Sequence, residues 1–133
     1  MPLSPSDIAV IQQLYAAYNY AADSGDGKAF AECFTSDGIL DIDGMTHLEG
    51  SKALSELFQG QPQGGRRTRH VAVNILVDGE GDLATGRAYL LMVGTSTSPA
   101  TITITGQYED RLVRTAEGWR FQERRCTFDK AAE

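Results

Sequence analysis

The chain has 133 residues, with 12 Lys+Arg against 18 Asp+Glu, a net charge of −6 and a pI near 4.8. That acidic balance argues against nucleic acid or an anionic membrane as the principal partner. Hydrophobic residues make up 41% of the chain, which suits one globular domain over 1–133, and no stretch approaches the ~20 apolar residues of a membrane span.

The first residues, Met1-Pro2-Leu3-Ser4-Pro5, lack the basic head and apolar core of a secretory leader, so a cytoplasmic location is expected. Cys33 and Cys126 are too few for a disulfide framework, and no Cys-x-x-Cys occurs. Both read as buried thiols. His47 and His70 are the two histidines. Neither His-x-His nor His-Glu-x-x-His spacing is present, so no metal and no cofactor is expected.

In chain order, Ser4-Pro5-Ser6-Asp7 reads as a helix start: Ser4 caps, Pro5 takes the first position and Asp7 completes a box. From 5 to about 22, Ile8, Ile11, Tyr15, Tyr18 and Ala22 recur at three- and four-residue steps, which predicts an amphipathic helix with an aromatic inner face. Gly25-Asp26-Gly27 breaks it, and Asp26 caps a short second helix carrying Phe30, Cys33 and Phe34. Asp37-Gly38 opens a strand over 39–42, Asp43-Gly44 signals a hairpin, and 45–49 returns. A third helix follows Gly50-Ser51, with Ala53, Leu54, Leu57 and Phe58 on its apolar side. Residues 60–65, rich in Gly, Pro and Gln, read as a loop beside a pocket mouth, and Arg66, Arg67 and Arg69 as a solvated basic edge.

The second half is nearly all strand, over 69–77, 83–97, 101–114 and 119–128, with tight turns between. Long strands joined this way make an antiparallel meander. Helices first and sheet afterwards is the α+β pattern. In the strand 69–77, strict alternation puts His70, Ala72, Asn74 and Leu76 on one face and Val71, Val73, Ile75 and Val77 on the other. Both faces are largely apolar, as are Leu90 to Val93. Three helices cover only one face, so the other is expected to meet a second copy in a dimer or trimer.

Several short motifs stand in a fixed order: Tyr18-x4-Asp23-x-Gly25-Asp26, Phe34-Thr35-Ser36-Asp37-Gly38, Gly50-x3-Leu54, His70-x3-Asn74, Gly106-x-Tyr108-x-Asp110 and Gly118-Trp119-Arg120-Phe121-x2-Arg124. With this order of helices and strands, nearly the whole chain resembles the nuclear transport factor 2-like superfamily, and within it the SnoaL-like group. The resemblance implies a cone-shaped barrel, in which a strongly curved antiparallel sheet is closed by three N-terminal helices around a deep apolar cavity. Its members include scytalone dehydratase, a bile-acid dehydratase, hexachlorocyclohexane dehydrochlorinase, polyketide cyclases and steroid isomerases. It further implies a catalytic pair in which Asp23, at the end of the first helix, orients His70. Arg124, five residues after the tryptophan, would line the same pocket. A fold of this kind hosts many chemistries, so it does not name a reaction.

The chemistry of such a pair is consistent. A neutral imidazole takes a proton near neutral pH, and a carboxylate on its other nitrogen fixes the tautomer and stabilises the imidazolium. Tyr18, Asn74 and Arg124 would hold developing charge on substrate oxygen, and Tyr89, Met92 and Tyr108 complete the expected lining. The expected activity is a cofactor-independent lyase or isomerase on a hydrophobic cyclic small molecule. The alternatives are polyketide-cyclase-type ring closure and a non-catalytic binding domain.

Structural readings stand beside each of these. His70 also reads as a core histidine, and Asp23 as a solvated carboxylate, although a helix C-terminus disfavours one. Arg124 also reads as a partner of Glu109, Asp110 or Glu123. Tyr15, Tyr18, Tyr20, Tyr89, Tyr108 and Trp119 read mainly as core, and His47 as exposed. Scytalone dehydratase-like sites use two histidines where this inner region offers one, and the Asp–Arg–Asp set of limonene epoxide hydrolase-like members is not evident. The chain ends soon after Phe128, so the pocket mouth is expected to be open or closed by a neighbouring copy.

Overall fold

Ser4 sets the start of the first helix, α1 (Pro5–Ser24). Its hydroxyl accepts the Asp7 amide N–H at 3.0 Å, and the Asp7 carboxylate accepts the Ser4 amide N–H at 3.2 Å. This is the capping box expected from the sequence. Gly25, left-handed at φ 72°, ends the helix and returns its N–H to the Ala21 carbonyl. A residue with a Cβ is strained in that conformation. The stop leaves Asp23 in the last turn.

In the computed structural model, which describes residues 1–60 and 67–130, α1 is followed by α2 (Gly27–Glu32), β1 (Phe34–Ile42), β2 (Thr46–Glu49) and α3 (Ser51–Leu57). The long strands β3 (Thr68–Glu80), β4 (Leu83–Gly94), β5 (Thr101–Thr115) and β6 (Gly118–Phe128) complete the chain. Of the loop expected over 60–65 and of the basic edge, 61–65 and Arg66 lie outside the described residues. Arg67 and Arg69 are exposed.

The six strands form one curved sheet in the order β2-β1-β6-β5-β4-β3. The antiparallel meander expected from the sequence runs from β3 to β6. One junction differs from it: β1 lies parallel to β6, because α3 and the following segment carry the chain from β2 at one edge to β3 at the other. The fold is α+β, with helices on one face of an open, strongly curved sheet.

The core lies between α1 and that face. Ile11, Tyr15, Tyr18 and Ala22, predicted to face inward, are buried, and Leu14, Asn19 and Ala21 join them. Tyr18 packs on Phe30 at 4.8 Å between ring centres, Phe30 on Phe58 at 5.0 Å, and Tyr15 on Phe121 at 5.3 Å. Two of the expected core aromatics lie elsewhere. Tyr20 is 77% exposed on the outer side of α1, and Tyr89 is 53% exposed on the outer face of β4.

Alternation in β3 does not run through. Val73 pairs with Tyr89 and Leu76 with Arg87, so Asn74 and Ile75 together oppose Ala88. Asn74 has φ 56°, a left-handed conformation that asparagine tolerates better than most residues. The bulge shifts parity by one. Beyond it Ile75 and Val77 pack on the core, while Asn74 and Leu76 are exposed. The face assignments from the sequence therefore hold for His70 and Ala72 and reverse from residue 74.

Candidate functional site

Four-residue steps bring helix residues to one line, roughly 6 Å apart. Along α1 that line carries Tyr15, Asn19 and Asp23, three polar side chains facing the sheet. Their environments differ.

Asp23 meets His70, one residue into the interior face of β3. Its Oδ1 lies 2.6 Å from His70 Nδ1. The same carboxylate accepts the His70 main-chain N–H at 3.1 and 3.2 Å. An ionised carboxylate only accepts, so in this contact Nδ1 is the donor. The His70 side chain is 1% exposed and that of Asp23 14%. Opposite His70 in the β3–β4 ladder is Met92, also buried.

Tyr15 leads to a second pair. Its hydroxyl donates to Asp110, which Arg124 also engages through Nε at 2.9 Å and Nη2 at 3.2 Å. Both charged side chains are fully buried. The guanidinium lies 3.5 Å from the centre of the Tyr108 ring, 4.3 Å from Tyr18, 4.4 Å from Phe121 and 4.8 Å from Tyr15. Gly86, opposite Asp110 in the ladder, makes the Tyr15 contact possible, since a Cβ there would sit 2.3 Å from the Tyr15 hydroxyl. Burial alone would lower the Arg124 pKa, but the facing Asp110 carboxylate outweighs it and holds the proton more firmly than usual. Burial pushes the Asp110 carboxyl up, against the pull of Arg124 and Tyr15. Burial likewise raises the Tyr15, Tyr18 and Tyr108 hydroxyls beyond their ordinary range, and moves the Cys33 and Cys126 thiols to about 11.

Asn19 stands between the two pairs. It is 92% buried, and its Oδ1 has no hydrogen-bond partner among the described residues. Arg124 Nη1 is the other such atom. Asn19 was not singled out from the sequence, although its spacing four residues from both Tyr15 and Asp23 was available as a signal.

The candidate residues thus divide. Asp23, His70 and Met92 come together at one end of the interior, while Tyr18, Tyr108 and Arg124 sit in the aromatic cluster at the other. Arg124 takes Asp110 from the three carboxylates open to it in the sequence. Two lining assignments are corrected. Asn74 is turned out by the bulge, and Tyr89 shares strand parity with the outward Thr85 and Arg87. Two open clefts, of about 1050 and 980 Å³, lie elsewhere, and neither is lined by Asp23 or His70. Among the described residues no group of three or more His, Cys, Asp or Glu side chains is placed to hold a metal ion.

A curved sheet with three helices on its inner face and an Asp–His pair held between them defines the class. The chain belongs to the SnoaL-like domain family, which matches residues 4–125, within the nuclear transport factor 2-like superfamily. Among solved structures it is similar to a protein of unknown function from Mycobacterium tuberculosis, with 32% identity, TM-score 0.85, and coverage of 97% of this chain and 78% of the other. A Novosphingobium aromaticivorans protein provisionally called an aromatic ring hydroxylase shares 28% identity, with TM-score 0.77 and coverage of 97% and 93%. Another from that organism, provisionally called a scytalone dehydratase, shares 23% identity, with TM-score 0.77 and coverage of 94% and 85%, which shows the fold alone. No curated protein matches significantly.

Proposed function

We propose that the protein is a cofactor-independent lyase or isomerase acting on a hydrophobic cyclic small molecule. The observation that carries this reading is the part-buried 2.6 Å contact between Asp23 and His70 Nδ1. Asp23 fixes the ring and compensates the charge it gains, so Nε2 acts as the base. In a dehydration, Nε2 takes the proton next to a carbonyl and the C–H electrons form the new C=C bond. The β C–O bond then breaks, and the hydroxyl leaves as water with the imidazolium proton. In an isomerisation the same proton returns to another carbon of the substrate. Positioned acid–base help of this kind contributes ~10²–10⁴ in rate.

The test is a screen of cyclic β-hydroxy ketones and unsaturated ketones, with products identified by mass spectrometry. Turnover that His70→Gln and Asp23→Asn remove, with folding intact by circular dichroism, supports the reading. Turnover retained in His70→Gln overturns it. Ring-closed products would assign cyclase chemistry to the same pair, and tight binding without conversion would assign a binding domain.

The outer face of the sheet supports assembly with a second copy. Leu76, Tyr89 and Ile102 are 59%, 53% and 56% exposed there, beside half-buried Val71, Val73, Leu91 and Val93. Contiguous apolar surface of this kind marks contact sites. Light scattering on the wild type and on Tyr89→Glu tests this. A dimer or trimer that the substitution dissociates is expected, and a monomeric wild type overturns it. No helix among the described residues is long and apolar enough to cross a membrane.

A further inference from the structure

We infer that two copies of this chain pair about a two-fold axis along the seam between β4 and β5, with Arg87 of each copy joined to Glu109 of the other. The inference deepens the reading above that the outer face meets a second copy, and it rests on that reading. The outer face of the seam is read from the ladder, since successive strand residues alternate between faces. Three of its pairs matter here: Val93 opposite Ile102, Tyr89 opposite Gln107, and Arg87 opposite Glu109. Val93 is half-buried and the other five are exposed.

The charged pair stands apart because of what its neighbours do. On the same face Arg111 holds Glu123 at 3.0 Å, and Arg125 reaches Asp41 at 3.8 Å. Arg87 and Glu109 remain. Facing residues of an antiparallel ladder lie within reach of one another, yet among the described residues neither side chain enters an ion pair or a hydrogen bond. Both line the open cleft of about 980 Å³ on this face, where charged side chains can arrive from outside.

A two-fold axis along the seam exchanges β4 of one copy with β5 of the other. Each outer residue of β4 then meets, across the interface, the residue type it already faces within the sheet. Val93 meets Ile102, apolar on apolar. Tyr89 meets Gln107, whose amide suits its hydroxyl, and Arg87 meets Glu109. Every match occurs twice, as an isologous contact requires. Neighbouring seams do worse. Along β3–β4 the same operation sets Arg87 against Leu76. Along β5–β6 it leaves Ile102 with nothing to meet, because that ladder ends at Gly106 and Phe128.

Charge reversal tests the pairing. Arg87→Glu and Glu109→Arg, both at exposed positions, are compared with the wild type by sedimentation velocity and native mass spectrometry, with folding checked by circular dichroism. The wild type is expected to be a dimer. Each variant sets like charges together at two places and should self-associate about 100-fold more weakly. An equimolar mixture should regain wild-type affinity as a dimer of one copy of each. In it reversed charge meets reversed charge and native meets native, opposite in sign at both places. A monomeric wild type would overturn this inference together with the assembly reading. A trimer, a dimer that either reversal leaves intact, or reversed variants that fail to recombine would overturn this inference alone, leaving assembly to the Tyr89→Glu test.

Discussion

Two pairs, each joining a carboxylate to a nitrogen-bearing side chain, pack against the same helix, and they teach opposite lessons about buried polar groups. Arg124 and Asp110 are sealed among four aromatic rings, with Tyr15 completing the carboxylate's partners. Such a pair recovers little more than its own desolvation, yet removing one member strands the other. Asp23 and His70 are joined through one ring nitrogen and one amide, and Asp23 keeps partial access to solvent. The first arrangement fixes a structure. The second orients an imidazole ring without sealing the carboxylate that holds it.

The largest expected effect falls on the sealed pair. Arg124→Met should lower stability by ~3–5 kcal/mol, because Asp110 is left charged and buried. Urea denaturation measures this, and the double replacement Asp110→Leu with Arg124→Met should recover most of the loss. If the single variant is as stable as the wild type, the contrast between the pairs fails. At the other end, His70→Gln should cost ~10²–10⁴ in rate while leaving the urea midpoint nearly unchanged, so the two pairs separate in two independent measurements. Gly86→Ala forces the Tyr15 hydroxyl away from Asp110 and should cost ~1–3 kcal/mol. Adding Tyr15→Phe to it should cost little more, since the hydroxyl contact is already lost.

The smallest effects lie at the start of α1. Ser4→Ala should cost ~1 kcal/mol in the same denaturation series. Asp7 also accepts from Arg114 at 2.8 Å and from Trp119 Nε1 at 3.2 Å. The Arg114 contact, then Trp119 and Ser4, hold its carboxyl well below the ordinary carboxylate range. A depressed acid contributes its stability above the ordinary carboxylate pKa and loses it as pH falls through the folded value. Trp119 fluorescence should therefore stay constant while ordinary carboxylates titrate and change only in stronger acid. A transition centred near pH 4 would show that the contact is not held in solution.

Local chemistry was legible wherever a few adjacent residues decide the outcome. The Ser4–Asp7 box, the Gly25 stop and the Asp43-Gly44 hairpin are of that kind, and the structure has each where the sequence puts it. Strand parity carried more than was drawn from it. Gly106, Tyr108, Asp110 and Leu112 share one face of β5, which would have selected Asp110 over Glu109 for Arg124. Thr85 and Arg87 mark the outer face of β4, which would have placed Tyr89 there. The Asp23–His70 contact joins residues 47 positions apart, and no local spacing encodes it, so it entered through family resemblance. Asn74 lies in an apolar strand whose pattern suggests a lining residue, but its tolerance of left-handed backbone makes it a bulge former.

That bulge has a further consequence, for the addition of one chain to the edge of another. β3 is an edge strand of 13 residues, and its run of Val, Ile and Leu would template pairing with any extended segment that met it. The kink at Asn74 interrupts the row of main-chain donors halfway along. At the far end Pro2 bridges to Glu80, and the terminal ammonium of Met1 pairs with the Glu80 carboxylate. The residue that failed as a pocket wall thus breaks up an edge on which fibrous aggregation could begin.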